Sequence, residues 1–228
     1  MTSRSLATVV AVIVVAITAT ACQPVHREPA LARKVVIIGD SLAWGAGSAP
    51  GIKDYLDDYF PNAEVKALGG PATAPVDGFD PATGWSDWAL ELNHWLSSGF
   101  DADVVVIEGC CNRFGDPARW RASIEALIGV ARQSDPGGDR RVILTTTPRF
   151  VPGTADYYEA YGIGNMIVGT NDIMRTTPGV AVADVDLAWS VDWQPVRDVP
   201  GVGVVRGVDG LHFTHAGARD VARIISLS

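Results

Sequence analysis

The sequence lacks any run of basic residues interleaved with aromatic side chains, and its 18 lysines and arginines are outnumbered by 26 aspartates and glutamates. Nucleic-acid-binding surfaces are basic, so we expect no nucleic-acid partner. The sequence also contains no internal repeat and no sign of a second domain. Its 228 residues, of which 47% are hydrophobic, suit one domain with a packed interior and exclude a disordered chain.

A dinucleotide-binding fingerprint is missing as well. The first turn after a strand-like segment reads GDSLAWGAG, residues 39–47, where a nucleotide-binding turn would have GxGxxG. Asp40 would also repel a pyrophosphate. The sequence therefore disfavours nucleotide binding.

Only one long uncharged run is present, and it lies at the N-terminus. It reads LATVVAVIVVAITATA, residues 6–21, and Arg4 precedes it. Its 16 residues are short for a membrane-spanning helix, which needs about 20. The run ends in Ala-Thr-Ala, a small-residue cleavage pattern, so residues 1–21 are predicted to be a signal peptide rather than an uncleaved anchor.

Cysteine is scarce, with residues at positions 22, 110 and 111 alone. The stretch Ala-Thr-Ala-Cys resembles a bacterial lipobox, which implies lipidation of Cys22 and a membrane tether through it. Residues 22–33 are polar and contain proline, which predicts a short tether before a domain at residues 34–228. Cys110 and Cys111 are adjacent, so we expect two half-buried thiols; the alternative is a strained vicinal disulfide.

Strand-like and helix-like segments alternate after the tether. Several strand candidates are continuously apolar, as in a parallel sheet covered on both faces; they are Lys34–Ile38, Glu64–Leu68, Ala102–Glu108, Arg141–Thr146 and Val180–Leu187. The helix candidates are Ile52–Tyr59, Ser86–Leu96, Pro117–Gln133, Tyr157–Arg175 and Ala216–Ile225. This order predicts an α/β fold with a doubly wound sheet.

Three polar or glycine-rich loops follow strands of this sheet. They are the turn with Asp40 and Ser41, the segment GGPAT after Leu68, and the segment GCCN after Glu108. Ligands of such sheets bind at the carboxyl ends of the strands, so the loops are expected to converge on one crevice. Asp40 is interpreted as a structural residue that caps the following helix.

A serine hydroxyl needs a base within hydrogen-bond reach to act as a nucleophile. The segment VDGLHFTHAGA supplies two histidines, and only His212 has an aspartate, Asp209, three residues before it. In a tight turn this spacing lets the carboxylate hold the ring nitrogen that faces away from the serine. His215 is interpreted instead as a residue at the start of the last helix.

These motifs together resemble the SGNH/GDSL hydrolase family. Gly39-Asp40-Ser41-Leu42 matches its GDSL signature, and Asp209-Gly210-Leu211-His212 matches its C-terminal DxxH block. The resemblance runs from about Lys34 to the C-terminus. It implies a three-layer α/β/α sandwich with a parallel, flavodoxin-like sheet, with Ser41 as nucleophile, His212 as general base and acid, and Asp209 as the orienting carboxylate.

The resemblance also implies an oxyanion hole, made of the Ser41 N–H, a glycine N–H after the second strand and an asparagine side chain. Gly69 and Gly70 are both candidates for the glycine, and Gly70 is favoured. The usual Gly-x-Asn-Asp block reads Gly-Cys-Cys-Asn here, with Arg113 in place of the aspartate. Strict spacing places Cys111 at the oxyanion position, whereas a shift of one residue in the loop places Asn112 there, and we favour Asn112.

Three tryptophans, Trp85, Trp88 and Trp95, lie on one face of a predicted helix. Core packing against the sheet is the preferred interpretation, and a pocket-lining role for Trp85 is the alternative.

The family members are esterases, lipases, carbohydrate deacetylases, thioesterases and some O-acyltransferases. The resemblance therefore implies an exported serine-dependent ester hydrolase of the cell envelope, either anchored or secreted, that acts through an acyl-enzyme without a metal or cofactor. The expected partner is a small-molecule, lipid or glycan ester, and we expect a monomer. Two alternatives remain: an O-acyltransferase or deacetylase of cell-envelope glycans, and a non-catalytic glycan-binding lipoprotein.

Overall fold

Five strands of the described residues form one parallel sheet. The structure is a computed structural model that describes residues 34–82, 84–110, 112–135, 137–150, 162–191 and 194–228. The sheet strands are β1 (Lys34–Gly39), β4 (Glu64–Gly69), β5 (Val104–Glu108), β6 (Arg141–Thr145) and β7 (Ala181–Ala183). Their order is β4–β1–β5–β6–β7, and every neighbouring pair is parallel.

Short antiparallel pairs lie outside this sheet. They are β2 (Gly45–Ala46) with β3 (Ala49–Pro50), β8 (Ser190–Val191) with β9 (Gln194–Pro195), and β10 (Asp198–Val199) with β11 (Gly203–Val204). The helices are α1 (Ser41–Trp44), α2 (Leu56–Tyr59), α3 (Asp87–Ser97), α4 (Pro117–Gln133), α5 (Ile163–Thr176), α6 (Val185–Ala188) and α7 (His215–Leu227), with a 3₁₀ turn at Ile52–Tyr55 before α2.

Helices cover the sheet on both faces because successive strand side chains point to opposite sides. Val35 and Ile37 of β1 belong to a hydrophobic cluster with side chains of α1, α2 and α7. Val36 and Ile38 belong to a second cluster with side chains of α3 and α4. The predicted three-layer α/β/α fold is therefore confirmed.

Polar side chains set the starts of the long helices. Ser86 accepts a hydrogen bond from the Ala89 N–H and caps α3, and Asp116 accepts from the Ala118 and Arg119 N–H groups and caps α4. Thr214 caps α7 in the same way through the Gly217 N–H. Such caps satisfy N–H groups that the first turn of a helix leaves unpaired.

One strand prediction is wrong at its end. The segment Val180–Leu187 is not a single strand, because β7 ends at Ala183 and α6 begins at Val185. The Asp184 carboxylate accepts the Leu187 N–H and thereby starts a helical turn. The predicted helix Tyr157–Arg175 begins outside the described residues, and α5 is its described part.

The direction in which successive strands are added to the sheet reverses between β1 and β5. From β1 it moves outward to β4, then returns to β5 on the other side and continues to β6 and β7. In such sheets the crevice lies outside the carboxyl ends of the two strands at this reversal. Gly39 and Glu108 are the last residues of those strands, so the turn with Ser41 and the loop with Asn112 both leave from this point.

The described residues from Lys34 onward belong to one compact unit, Leu31–Ser228. No helix among them combines the length and the apolar character needed to cross a membrane. The predicted signal peptide and Cys22 lie outside the described residues.

Candidate active site

Folding brings Ser41, His212 and Asp209 into one line of hydrogen bonds. His212 Nε2 lies 3.1 Å from Ser41 Oγ, across 171 positions of sequence. His212 Nδ1 lies 2.6 Å from Asp209 Oδ2. A carboxylate at Nδ1 keeps a proton on that nitrogen, so Nε2 of the neutral ring is left as the acceptor for the serine hydroxyl.

The strand β1 delivers Ser41 to the crevice through a sharp turn. Ser41 is the first residue of α1, and Asp40 precedes it as the cap. A Cβ on Gly39 would lie 2.5 Å from the Ala43 Cβ and 2.7 Å from Glu108 Oε2. Both separations are too short for a Cβ atom, so only glycine fits at position 39. Gly39 thereby permits the close turn that presents the serine.

Hydrogen bonds within the loop before α7 position His212. Asp209 Oδ1 accepts the backbone N–H groups of Leu211 and His212, each at 3.0 Å. The Gly207 N–H donates to the His212 carbonyl at 2.8 Å. The same aspartate therefore shapes the loop with one oxygen and orients the ring with the other.

A buried arginine supports this loop from behind. Arg206 is 1% exposed, and its guanidinium donates to the carbonyls of Leu211 and Pro148. It also lies over the faces of Phe213 and Trp189, at 5.4 and 5.9 Å from the ring centroids. Arginine is rarely fully buried, so no sequence pattern indicated this role.

The electrostatics of Asp209 favour its charged form. Burial acts to raise the pKa of this carboxyl, but hydrogen bonds from His212 and from the Leu211 and His212 N–H groups lower it more. The pKa of the Asp209 carboxyl therefore lies below its ordinary value. The carboxylate is therefore charged at neutral pH, as needed to stabilise an imidazolium at His212.

Asp40 ties the two strand ends of the crevice together. It is 2% exposed, and its carboxyl accepts the Leu42 N–H at 3.0 Å and the Cys110 N–H at 3.1 Å. Burial raises the pKa of Asp40, although these hydrogen bonds, the neighbouring Glu108 and the charge of His212 act to lower it. Its predicted structural role as a helix cap is confirmed.

Glu108 is a buried carboxyl that the sequence analysis did not single out. It is 1% exposed at the end of β5, and its Oε2 accepts the Asp40 N–H at 3.2 Å. The Glu108 carboxyl group thus lies against the Asp40 backbone beneath the nucleophile turn. Its position as the last, charged residue of an otherwise apolar strand was the signal that could have indicated it.

The glycine donors predicted for the oxyanion hole already have partners inside the chain. The Gly70 N–H donates to the Gly39 carbonyl at 3.1 Å, and the Gly69 N–H donates to Glu91 Oε2 at 2.9 Å. An oxyanion role for the Gly70 N–H would require the first of these bonds to open, and it stays a prediction.

Asn112 is half-buried beside the crevice, and its Nδ2 donates to the Thr73 carbonyl at 3.1 Å. An amide nitrogen carries two protons, so this bond uses one of its two donors. The alternative residue, Cys111, lies outside the described residues. Cys110 is buried, more deeply than the half-buried thiol that we expected.

Trp88 and Trp95 lie on α3, whereas Trp85 precedes the helix and pairs with Asp80 in an isolated β-bridge, so the three do not share one helical face. The predicted core packing is confirmed. Trp88 is 1% exposed, and Trp85 and Trp95 are partly buried against the same cluster.

No group of three or more histidine, cysteine, aspartate or glutamate side chains in the described part of the chain is arranged to hold a metal ion.

Two of the cavities lined by described residues bear on the site. One of about 350 Å³ is lined by His212 and Asp209, by neighbouring residues of the same loop and by the hairpin β2–β3. The other, of about 470 Å³, is lined by Arg149, Val168, Arg175, Asp184, Asp186 and Leu187. Ion pairs between these arginines and aspartates neutralise the charges in the second cavity. The first cavity, whose lining includes His212 and Asp209, is therefore the candidate substrate site.

The same architecture occurs in solved structures. An inhibitor-bound aryl esterase from M. smegmatis has a TM-score of 0.60 and 18% identity, over 86% of this chain and 97% of its own. A carbohydrate acetylesterase family member from Sinorhizobium meliloti has a TM-score of 0.61 and 16% identity, over 86% and 96%. A member of the lipolytic protein G-D-S-L family from Veillonella parvula has a TM-score of 0.59 and 12% identity, over 84% and 94%.

The chain has the SGNH hydrolase fold. This likeness supports the resemblance to the SGNH/GDSL family that the sequence motifs indicated. No family model and no curated protein sequence matches the chain. The likeness shows the fold, and the geometry of Ser41, His212 and Asp209 is the evidence for the activity.

Proposed function

We propose that the protein is a serine-dependent hydrolase of acyl esters. The observation that carries this proposal is the line of hydrogen bonds from Ser41 through His212 to Asp209. A nucleophile, a base in contact with it and a group that orients the base are the combination that acyl transfer requires. The esterases among the structures of the same fold support it further.

In the proposed reaction Ser41 Oγ attacks the ester carbonyl carbon, and His212 Nε2 takes the hydroxyl proton. The tetrahedral intermediate collapses when His212 gives that proton to the leaving alcohol, which departs and leaves the acyl group on Ser41. Water, deprotonated by His212, then attacks the acyl carbon, and the acid leaves as Ser41 regains its proton. Asp209 stabilises the imidazolium in both halves.

The substrate class is proposed as small-molecule or glycan esters. Two structures of the same fold are described as carbohydrate acetylesterases from Sinorhizobium meliloti. Removal of acetyl groups from glycans is therefore the favoured alternative within this chemistry. The predicted signal peptide and the lipobox-like Cys22 support a location in the cell envelope.

Hydrolysis of short-chain p-nitrophenyl esters by the full chain tests the proposal. Ser41→Ala is expected to lower kcat by at least about a thousandfold, because loss of the nucleophile alone removes most of the catalysis that such a triad provides. A fluorophosphonate probe should label the wild type at Ser41 and leave the variant unlabelled. Equal rates in wild type and variant, with no label on either, would overturn the proposal.

A further inference from the structure

The cavity beside His212 has a second histidine in its wall. Ala46, Ser48, Ala49 and Pro50 of the hairpin β2–β3 line it, together with loop residues that include Val208, Phe213 and His215. His215 is exposed, and it is the first residue of α7. The catalytic machinery proposed above does not use this side chain.

Tyr55 orients the His215 ring. The Tyr55 hydroxyl is hydrogen-bonded to His215 Nδ1, and the two rings meet edge to face with centroids 6.2 Å apart. The Arg219 guanidinium covers the tyrosine ring at 5.0 Å from its centroid. A neutral imidazole that accepts a hydrogen bond from the tyrosine hydroxyl at Nδ1 carries its own proton on Nε2. It therefore has a hydrogen-bond donor at Nε2.

The position of the cavity indicates which half of an ester occupies it. The acyl carbon must lie at Ser41 Oγ, whereas the leaving alcohol oxygen must lie at His212 Nε2 in order to receive its proton. His212 and Asp209 line the cavity. The leaving alcohol is therefore the half of the substrate that extends into it.

The lining fits an alcohol that carries further hydroxyl groups. Small or apolar side chains, at Ala46, Ala49 and Pro50, leave space for a ring and its C–H faces, whereas Ser48 and His215 offer hydrogen bonds. A sugar presents both kinds of surface. A plain alkyl alcohol would offer no hydroxyl group to Ser48 or His215, so its binding would gain none of the hydrogen bonds that a sugar could form there.

We propose that this cavity binds the alcohol half of the substrate and that His215, oriented by Tyr55, selects sugar or other polyol esters by hydrogen-bonding a hydroxyl group beyond the ester oxygen. The inference rests on the proposed ester hydrolysis, and it adds the residues that determine specificity for the alcohol.

Two acetyl esters that differ in their alcohol test the inference. The probes are a mono-O-acetylated methyl glucoside and p-nitrophenyl acetate, assayed with the full chain. The quantity compared is the ratio of kcat/KM for the sugar ester to kcat/KM for the aryl ester. His215→Phe should lower this ratio about three- to tenfold, as expected from the loss of one uncharged hydrogen bond.

His94→Phe is the matched control. It makes the same chemical change at an exposed histidine on α3 and should leave the ratio as in the wild type. Tyr55→Phe, which removes one oxygen, should lower the ratio in the same direction as His215→Phe. Circular dichroism melting curves establish that each variant is folded.

A ratio within twofold of wild type in both His215→Phe and Tyr55→Phe would overturn the inference. Failure of the proposed function would look different: the wild type would then hydrolyse both esters no faster than Ser41→Ala, whatever the ratio.

Discussion

Asp40 and Ser41 are neighbours in sequence but have different roles. The Asp40 carboxyl joins the backbone after β1 to the backbone after β5, through the Leu42 and Cys110 N–H groups. Ser41 projects toward His212. The aspartate beside the serine thus fixes the turn on which the serine sits, and the carboxylate that serves the histidine is Asp209, far away in sequence.

Asp209→Asn tests the orienting role of that carboxylate. An asparagine oxygen can still accept the Leu211 and His212 N–H groups, so the loop should keep its shape. Its amide would donate to Nδ1, which forces the ring proton onto Nε2 and removes the acceptor for Ser41. We expect kcat for p-nitrophenyl acetate to fall about a hundredfold to ten-thousandfold, with little change in melting temperature.

A variant that keeps more than a tenth of the wild-type kcat would contradict this account of Asp209. Asp198→Asn, an exposed aspartate in β10, controls for the loss of one negative charge.

Capping residues decided where the elements begin and end. The helix α4 has the predicted bounds, Pro117–Gln133, and the structure shows Asp116 as its cap and Pro117 in its first turn. The strand predicted over Val180–Leu187 failed because its apolar residues continue past the end of β7. Asp184 stops the strand there by capping α6, and an ion pair with Arg175 holds it in place.

The Asp184 carboxylate should make the stability of this edge depend on pH. It accepts bonds from Arg175 Nε at 2.8 Å and from the Thr146 hydroxyl at 2.9 Å. Burial acts to raise its pKa, but Arg175, Thr146 and the Leu187 N–H lower it more, so the folded-state pKa lies below the unfolded value. The stabilisation is therefore present above the unfolded pKa and is lost as pH falls through the folded pKa.

Asp184→Asn keeps a capping oxygen and loses the charge. At pH 7 its melting temperature should lie about 2 to 4 °C below wild type, the shift for about 1 kcal/mol in a domain of this size after allowance for solvent screening. The gap should close as the pH falls below about 4. Asp172→Asn, an exposed position on α5, is the charge-matched control; a gap that is constant from pH 7 to pH 3 would refute the linkage.

At the scale of the whole molecule, the parallel sheet assembles the site. Ser41 follows the first strand and His212 precedes the last helix, and the reversal of strand order between β1 and β5 opens the crevice in which they meet. Residues 1–33, which precede this domain, are predicted to determine its cellular location.

Cys22→Ser tests the proposed membrane tether. When the full chain is expressed in a bacterium that processes lipoproteins, the wild type should incorporate a labelled fatty acid and partition into the detergent phase. The variant should take up no label and partition into the aqueous phase, because a serine offers no thiol for acylation. Absence of label from the wild type would contradict the lipobox interpretation.

The sequence by itself determined the layer architecture, because apolar runs of strand length alternate with helical periods and cap residues, and these are local properties of the chain. It also determined the candidate triad, since Ser41 and the Asp209–His212 pair stand in short motifs. Only the tertiary structure decided what surrounds them. Several contacts of the site join segments that are distant in sequence: the hydrogen bonds of the Gly69 and Gly70 amides, the Asp40–Glu108 contact, the packing of Arg206 and the Tyr55–His215 pair. Contacts between distant segments produce no local sequence pattern, so they could not be predicted.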